Sequence, residues 1–145
     1  MSGARTVQVL LVEDNDVDRE AVRRAFRQHR IANPIVAARD GIEALGLLRG
    51  ERQPKLPRPY IVLLDLNMPR MDGIELLRAI RADRAMHDSV VFVLTTSKAD
   101  EDKMAAYDLN VAGYICKSDV GTGFIRLVEL LDRYWRLVEL PGREP

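Results

Sequence analysis

Residues 60–73 of the chain read Tyr60-Ile61-Val62-Leu63-Leu64-Asp65-Leu66-Asn67-Met68-Pro69-Arg70-Met71-Asp72-Gly73. The first five positions carry no charged residue, and such a short continuous apolar run is typical of a strand buried on both faces. The run ends directly at Asp65, and the apolar positions after Gly73 recur at helical spacing. This stretch therefore predicts a buried strand, a loop that presents a carboxylate, and a helix over 73–82.

The same alternation extends in both directions. Strands are predicted at 7–12, 34–38, 60–64, 90–94 and 113–116, and helices from Asp16, at 41–48, at 73–82, at 99–108 and from about 122 to 138. Residues 50–59 hold three prolines and predict a loop. Strands that alternate with helices indicate an α/β fold, a doubly wound five-stranded parallel sheet with helices on both faces.

Composition limits the classes of function. The chain has 145 residues, about one domain, and its 22 basic and 22 acidic residues give a formal net charge of zero. General electrostatic attraction to nucleic acid or to an anionic membrane is therefore not expected. A single cysteine, an N-terminus without a long apolar run, and apolar stretches too short to span a bilayer predict a cytoplasmic protein.

Polar side chains follow four of the predicted strands: Glu13-Asp14, Asp65, Thr95 and Lys117. Ligands of such sheets bind at the carboxyl ends of the strands, so these side chains should converge. Three close carboxylates need a cation, and oxygen ligands suit Mg²⁺, with Mn²⁺ as a substitute. Asp65 could then act as a nucleophile on phosphorus, with Lys117 neutralising charge and Thr95 donating a hydrogen bond to a phosphoryl oxygen.

In order and spacing, Glu13-Asp14, Asp65 within DLNMPRMDG, Thr95 and Lys117 resemble the signature residues of response-regulator receiver domains. The resemblance runs from about 7 to 131. It implies the flavodoxin-like strand order 2-1-3-4-5. It also implies a single receiver domain over 1–145, with a core at about 7–131, a last helix extended to about 138 and a polar tail at 139–145.

The resemblance further implies roles for individual residues. Asp65 would be the phosphoacceptor. The metal site would consist of Asp14, Asp65 and the backbone carbonyl of Asn67, with Glu13 holding a metal-bound water. Tyr114 would change rotamer together with Thr95. The chain would be a signalling domain rather than an enzyme, catalysing only its own phosphorylation and dephosphorylation.

One position departs from the family pattern. Ser118 follows Lys117 where the family usually has proline, often after a cis peptide bond. A cis bond before a residue other than proline costs about 3 kcal/mol, so a trans bond is expected here. The geometry of this loop, and of any partner surface on it, is then in question.

Two other functions compete with this one. A phosphatase of the haloacid-dehalogenase type needs a general acid two residues after its nucleophile, and Asn67 cannot supply a proton. A pseudo-receiver, which signals without phosphorylation, would be expected to lack one of the signature residues. A DNA-binding regulator would need an additional domain for which the length leaves no room.

The expected partners are proteins: a sensor histidine kinase and a histidine phosphotransfer protein. The proline-rich loop and the long last helix resemble small receivers paired with bacterial phytochrome kinases. The apolar stripe of that helix continues to its end and predicts a symmetric homodimer through Leu131, Tyr134, Trp135 and Val138. The alternative is that Trp135 folds back over its own domain.

Overall fold

In the computed structural model, residues 6–68, 70–117, 125–138 and 140–141 are described, and five strands alternate with five helices. The strands are β1 (Gln8–Val12), β2 (Ile35–Ala38), β3 (Tyr60–Leu64), β4 (Val90–Thr95) and β5 (Gly113–Cys116). The helices are α1 (Asp16–Gln28), α2 (Gly41–Leu48), α3 (Gly73–Ala82), α4 (Asp100–Asp108) and α5 (Ile125–Leu137). The expected start of the last helix, at 122–124, lies outside the described residues.

All strand pairs are parallel, and the strand order is β2-β1-β3-β4-β5. The predicted fold is therefore confirmed. Val12 pairs with Leu64, and Thr95 pairs with Cys116, so neighbouring strands end at similar heights. The residues that follow β1, β3 and β5 consequently leave the sheet at one edge, beside the end of β4.

The sheet is buried on both faces because alternate residues of the central strands enter two separate cores. Val62 and Leu64 of β3 pack with α2, α3 and α4, whereas Ile61 and Leu63 pack with α1 and α5. A strand covered on both faces needs an apolar side chain at every position, which explains the uninterrupted apolar run at 60–64.

Helix α3 begins very close to Asp65. The side chain of Asp72 accepts a hydrogen bond from the backbone N–H of Glu75, and Glu75 accepts one from the N–H of Asp72, which forms a capping box. A Cβ atom at Gly73 would lie 2.6 Å from the backbone oxygen of Asp65. Glycine at this position therefore permits the close approach of α3 to the loop that carries the predicted phosphoacceptor.

The end of α5 differs from the expectation of an exposed aromatic surface. Leu131 is fully buried in its own core, so its prediction as an interface residue is wrong. Trp135 and Tyr134 are half-buried, with ring centroids 6.1 Å from Phe26 and 5.0 Å from Phe92, respectively. The reason is that α1 lies alongside α5 and extends the core beneath its last turns.

Within the described ranges, no helix combines the length and the apolar character needed to cross a membrane.

Candidate functional site

A cluster of carboxylates lies at the carboxyl edge of the sheet. Oxygen atoms of Glu13, Asp14 and Asp65 all lie within 4.8 Å of one another. Glu13 and Asp14 follow β1, Asp65 follows β3, and the pairing of the two strands brings these residues together. Glu13 and Asp65 are buried, whereas Asp14 is exposed. The structure thus brings together the three predicted metal-binding carboxylates.

Backbone hydrogen bonds fix the two buried members of this cluster. The N–H of Asp65 donates to the backbone oxygen of Val12 over 3.0 Å, and the N–H of Asn67 donates to Asp65 Oδ1 over 3.2 Å. Glu13 Oε2 accepts a bond of 3.1 Å from the N–H of Asn15. Backbone groups at and just after the ends of β1 and β3 therefore hold the two buried carboxylates in place.

Lys117 reaches the cluster from the end of β5, as predicted. Its Nζ atom lies 2.6 Å from Glu13 Oε1 and 3.7 Å from Asp65 Oδ2. A further contact was not predicted: the same Nζ atom lies 2.6 Å from Asp18 Oδ2, in the first turn of α1. Acidic residues are common in first helical turns because they complement the helix dipole, so the sequence pattern did not distinguish Asp18.

Burial has opposite effects on the two charged partners. It raises the pKa of Glu13 to about 7, and the negative charge of Asp65 adds to the increase, against the opposing effect of the Lys117 ammonium. Burial alone would lower the pKa of Lys117, but hydrogen bonds to Asp18 and Glu13 outweigh it and hold that pKa above its usual range. Lys117 is thus a permanent cation in this site.

The charges and the donor atoms fit a divalent cation. Full ionisation of Glu13, Asp14, Asp18 and Asp65 against one ammonium would leave three negative charges, and the raised pKa of Glu13 lowers this number near neutral pH, so a divalent cation cancels most of the excess. The three carboxylates that the sequence pattern grouped therefore omit one member of the charged cluster, Asp18. All donors of the cluster are oxygens, and the exposed Asp14 leaves room for water ligands, which suits Mg²⁺ or Mn²⁺.

Thr95 and Tyr114 are connected through one residue that the sequence pattern did not single out, Ser97. The buried Thr95 Oγ1 accepts hydrogen bonds of 3.3 Å from the Ser97 N–H and from Asn67 Nδ2. The hydroxyl of the half-buried Tyr114 donates to the backbone oxygen of Ser97 over 3.0 Å. Hydrogen bonds to Ser97 therefore connect the Thr95 hydroxyl and the Tyr114 hydroxyl through the loop after β4.

The peptide bond between Lys117 and Ser118 lies outside the described residues.

The side chain of Asn67 faces Thr95 and Thr96 rather than the carboxylates, at 3.3 and 3.5 Å from their hydroxyl oxygens. Any contact of Asn67 with a metal would therefore have to use its backbone oxygen.

Residues 9–123 match the response regulator receiver domain family. In sequence, the response regulator Rcp1 of Synechocystis sp. (strain ATCC 27184 / PCC 6803 / Kazusa) is 34% identical over 136 residues, which cover 92% of this chain and 92% of Rcp1. The chain is also similar to the crystal structure of the phosphorylated cyanobacterial phytochrome response regulator RcpA, with 34% identity and a TM-score of 0.82 over 95% of this chain and 99% of that one. The Mn(2+)-bound form of Rcp1 gives 34% identity and a TM-score of 0.81 over 94% and 99% of the two chains. With this family match and these relatives, the chain belongs to the response regulator receiver domain family.

Proposed function

We propose that Asp65 accepts a phosphoryl group from a sensor histidine kinase and that the phosphorylated chain signals by binding other proteins. One observation carries this proposal. The carboxylates of Glu13, Asp14 and Asp65 meet within 4.8 Å, and the Lys117 ammonium lies against two of them. This set can hold a hard cation and neutralise a phosphoryl group, which are the main requirements of phosphoryl transfer.

In the proposed reaction, a carboxylate oxygen of Asp65 forms the new bond to phosphorus while the P–N bond of the kinase phosphohistidine breaks. The imidazole nitrogen keeps the electron pair of that bond and takes a proton from water. The bond from the Asn67 N–H orients the Asp65 carboxylate. Lys117 supplies a fixed positive charge beside the phosphoryl oxygens, and the Thr95 hydroxyl, which accepts the bonds from Asn67 and Ser97, donates to one of those oxygens.

We further propose that the reaction depends on Mg²⁺, which Mn²⁺ can replace. Asp14, Asp65 and the backbone oxygen of Asn67 would bind the ion directly, and Glu13 would bind through a water molecule. When bound, the ion neutralises charge on the cluster and on the phosphoryl oxygens. The Mn(2+)-bound form of Rcp1 supports a divalent ion in a protein of this similarity.

The similarity to the phytochrome response regulator RcpA supports a bacteriophytochrome as the phosphoryl donor. A histidine phosphotransfer protein is proposed as a further partner, because it could exchange the same phosphoryl group with Asp65. The proposal places this exchange in the cytoplasm, where a single cysteine, Cys116, needs no disulfide partner. A pseudo-receiver function is disfavoured because the acidic cluster and Lys117 occur together.

The experiment that tests the proposed function is incubation of the chain with candidate histidine kinases, ATP and Mg²⁺, followed by separation on a phosphate-affinity gel. We expect a shifted band whose phosphate is stable to acid and labile to base, as an acyl phosphate is. A chain that takes up no phosphoryl group from any kinase tested or from acetyl phosphate would contradict the proposal.

A symmetric homodimer remains part of the proposal, with a smaller apolar surface than expected. Leu137 and Val138 at the end of α5 are 83% and 40% exposed, beside the half-buried Tyr134 and Trp135. Unlike Leu131, these four residues retain surface that a second copy could cover. Contacts through the end of α5 would be isologous, because the same surface would face its copy across a two-fold axis.

We expect the double variant Leu137→Ser/Val138→Ser to lower the mass measured by light scattering toward that of one chain. The matched control is Val17→Ser/Ile42→Ser, which removes apolar side chains that are 76% and 43% exposed on α1 and α2. The control should keep the mass of the wild-type protein. A wild-type protein that is monomeric at micromolar concentration would rule out the dimer.

A further inference from the structure

Among the described residues, Asp18 is the one charged partner of the predicted catalytic lysine that lies outside the family signature. Lys117 Nζ lies equally close, 2.6 Å, to Asp18 Oδ2 and to Glu13 Oε1, but 3.7 Å from Asp65 Oδ2. The last distance exceeds the length of an N–H···O hydrogen bond. Lys117 is therefore bonded to the carboxylates of Glu13 and Asp18 and not to that of Asp65.

These two contacts use most of the hydrogen-bond donors of Lys117. An ammonium has three donors, and two of them are taken by Glu13 and Asp18. A phosphoryl group on Asp65 would bring additional negative oxygens to the same edge of the sheet. Lys117 has one donor left for them, so a second bond to a phosphoryl oxygen would have to replace its bond to Asp18 or to Glu13.

The helical turn that contains Asp18 also contains a residue with which it can be compared. Asp16 also lies in the first turn of α1, and it complements the helix dipole in the same way. Its side chain is 89% exposed and pairs with Arg19, whereas the Asp18 side chain is 29% exposed and pairs with Lys117. Of the two carboxylates, only Asp18 contacts a side chain of the site, whereas Asp16 pairs with Arg19, whose Nη1 donates to the backbone oxygen of Glu13 over 2.6 Å.

We propose that Asp18 is a positioning residue that holds Lys117 away from Asp65 in the unphosphorylated protein and thereby disfavours the phosphorylated form. The inference rests on the proposed function of Asp65 and adds a restraint to it. Asp18 competes with the phosphoryl group for one ammonium, and its own negative charge adds to those of Glu13, Asp14 and Asp65. Removing that charge should release Lys117 to the phosphoryl group.

The test uses beryllofluoride with saturating Mg²⁺, which stands in for the phosphoryl group on Asp65, titrated by isothermal calorimetry. We expect Asp18→Asn to bind beryllofluoride about fivefold more tightly than wild type, which corresponds to the loss of one partly exposed charged contact. The half-life of the phosphorylated variant should lengthen in the same direction. Asp16→Asn, which removes an equal charge from the same turn, should behave as wild type, and Asp18→Glu should restore wild-type affinity.

A second measurement reports on the lysine itself. The Lys117 ammonium resonance in nitrogen-15 NMR spectra should be protected from exchange by its two charged hydrogen bonds in wild type and in Asp16→Asn. Asp18→Asn should lose part of this protection without a change in the fold, as checked by circular dichroism. Unchanged protection in Asp18→Asn would show that the bond to Asp18 does not hold the ammonium, and it would overturn the inference.

Equal affinity of wild type and Asp18→Asn for beryllofluoride, or weaker binding by the variant, would overturn the inference and leave the proposed function intact. A wild-type protein that binds no beryllofluoride in the presence of Mg²⁺ would instead contradict the proposed function of Asp65. The two failures are therefore distinguishable in one set of titrations.

Discussion

The Asp65→Asn variant is expected to incorporate no phosphoryl group, from acetyl phosphate or from a kinase, under conditions that phosphorylate the wild-type chain fully. The amide has nearly the shape of the carboxylate, so the contact with the Asn67 N–H and the close approach of Gly73 can both be kept. What is lost is the negatively charged oxygen that attacks phosphorus. We expect the phosphorylation rate to fall at least a hundredfold, on the order expected for loss of the nucleophile itself.

The control for this variant is Asp108→Asn, an exposed aspartate at the end of α4, which should be phosphorylated at the wild-type rate. The neighbouring Asp14 is the competitor that the structure suggests, because its carboxylate is exposed and lies in the same cluster. Wild-type incorporation of base-labile phosphate by Asp65→Asn would refute the assignment. Loss of that incorporation in Asp14→Asn/Asp65→Asn would move the acceptor to Asp14.

Removal of divalent metal is expected to have an effect of similar size. With excess chelator, phosphotransfer should fall below detection, because three close carboxylates then face the incoming phosphoryl group with only Lys117 to neutralise them. Addition of Mg²⁺ or Mn²⁺ in excess of the chelator should restore it. Undiminished transfer without metal would exclude the cluster as the site of a required cation.

Mn²⁺ binding by a variant tests the role of Asp14, which is the exposed carboxylate of the cluster. Asp14→Ala should weaken Mn²⁺ binding at least tenfold, measured by electron paramagnetic resonance, since it removes a direct carboxylate ligand. Asp16→Ala is the matched control, because Asp16 is also exposed but pairs with Arg19 instead of joining the cluster. Equal Mn²⁺ affinity of the two variants would remove Asp14 from the metal site.

The sequence was sufficient for the fold and for the main residues of the site, for two physical reasons. Strands and helices follow from local periodicity. The uninterrupted apolar runs at 60–64 and 90–94 exclude a sheet with one face exposed to solvent. A parallel sheet then places the residues after its strands at one edge. Glu13, Asp65 and Lys117 could therefore be grouped although 104 positions separate the first from the last.

The sequence was less informative about where strands and helices end and about what packs against their ends. Strand β4 extends through Thr95, one residue beyond the predicted end, because Thr95 still pairs with Cys116. Trp135 was expected on the surface from its place late in the amphipathic stripe. The stripe gives the apolar face of α5 but not what lies opposite it, and Phe26 of α1 lies opposite.

The sequence by itself determined which side chains end the strands, and hence the chemistry that this edge of the sheet can perform. Only the tertiary structure decided how charged side chains from separate elements pair. Asp18 meets Lys117 across 99 positions, and the Arg81 guanidinium donates to four backbone oxygens, those of His87, Ser89, Leu109 and Asn110. Such contacts depend on how helices pack against the sheet and on which rotamers the packing leaves, and no local pattern of residues encodes either.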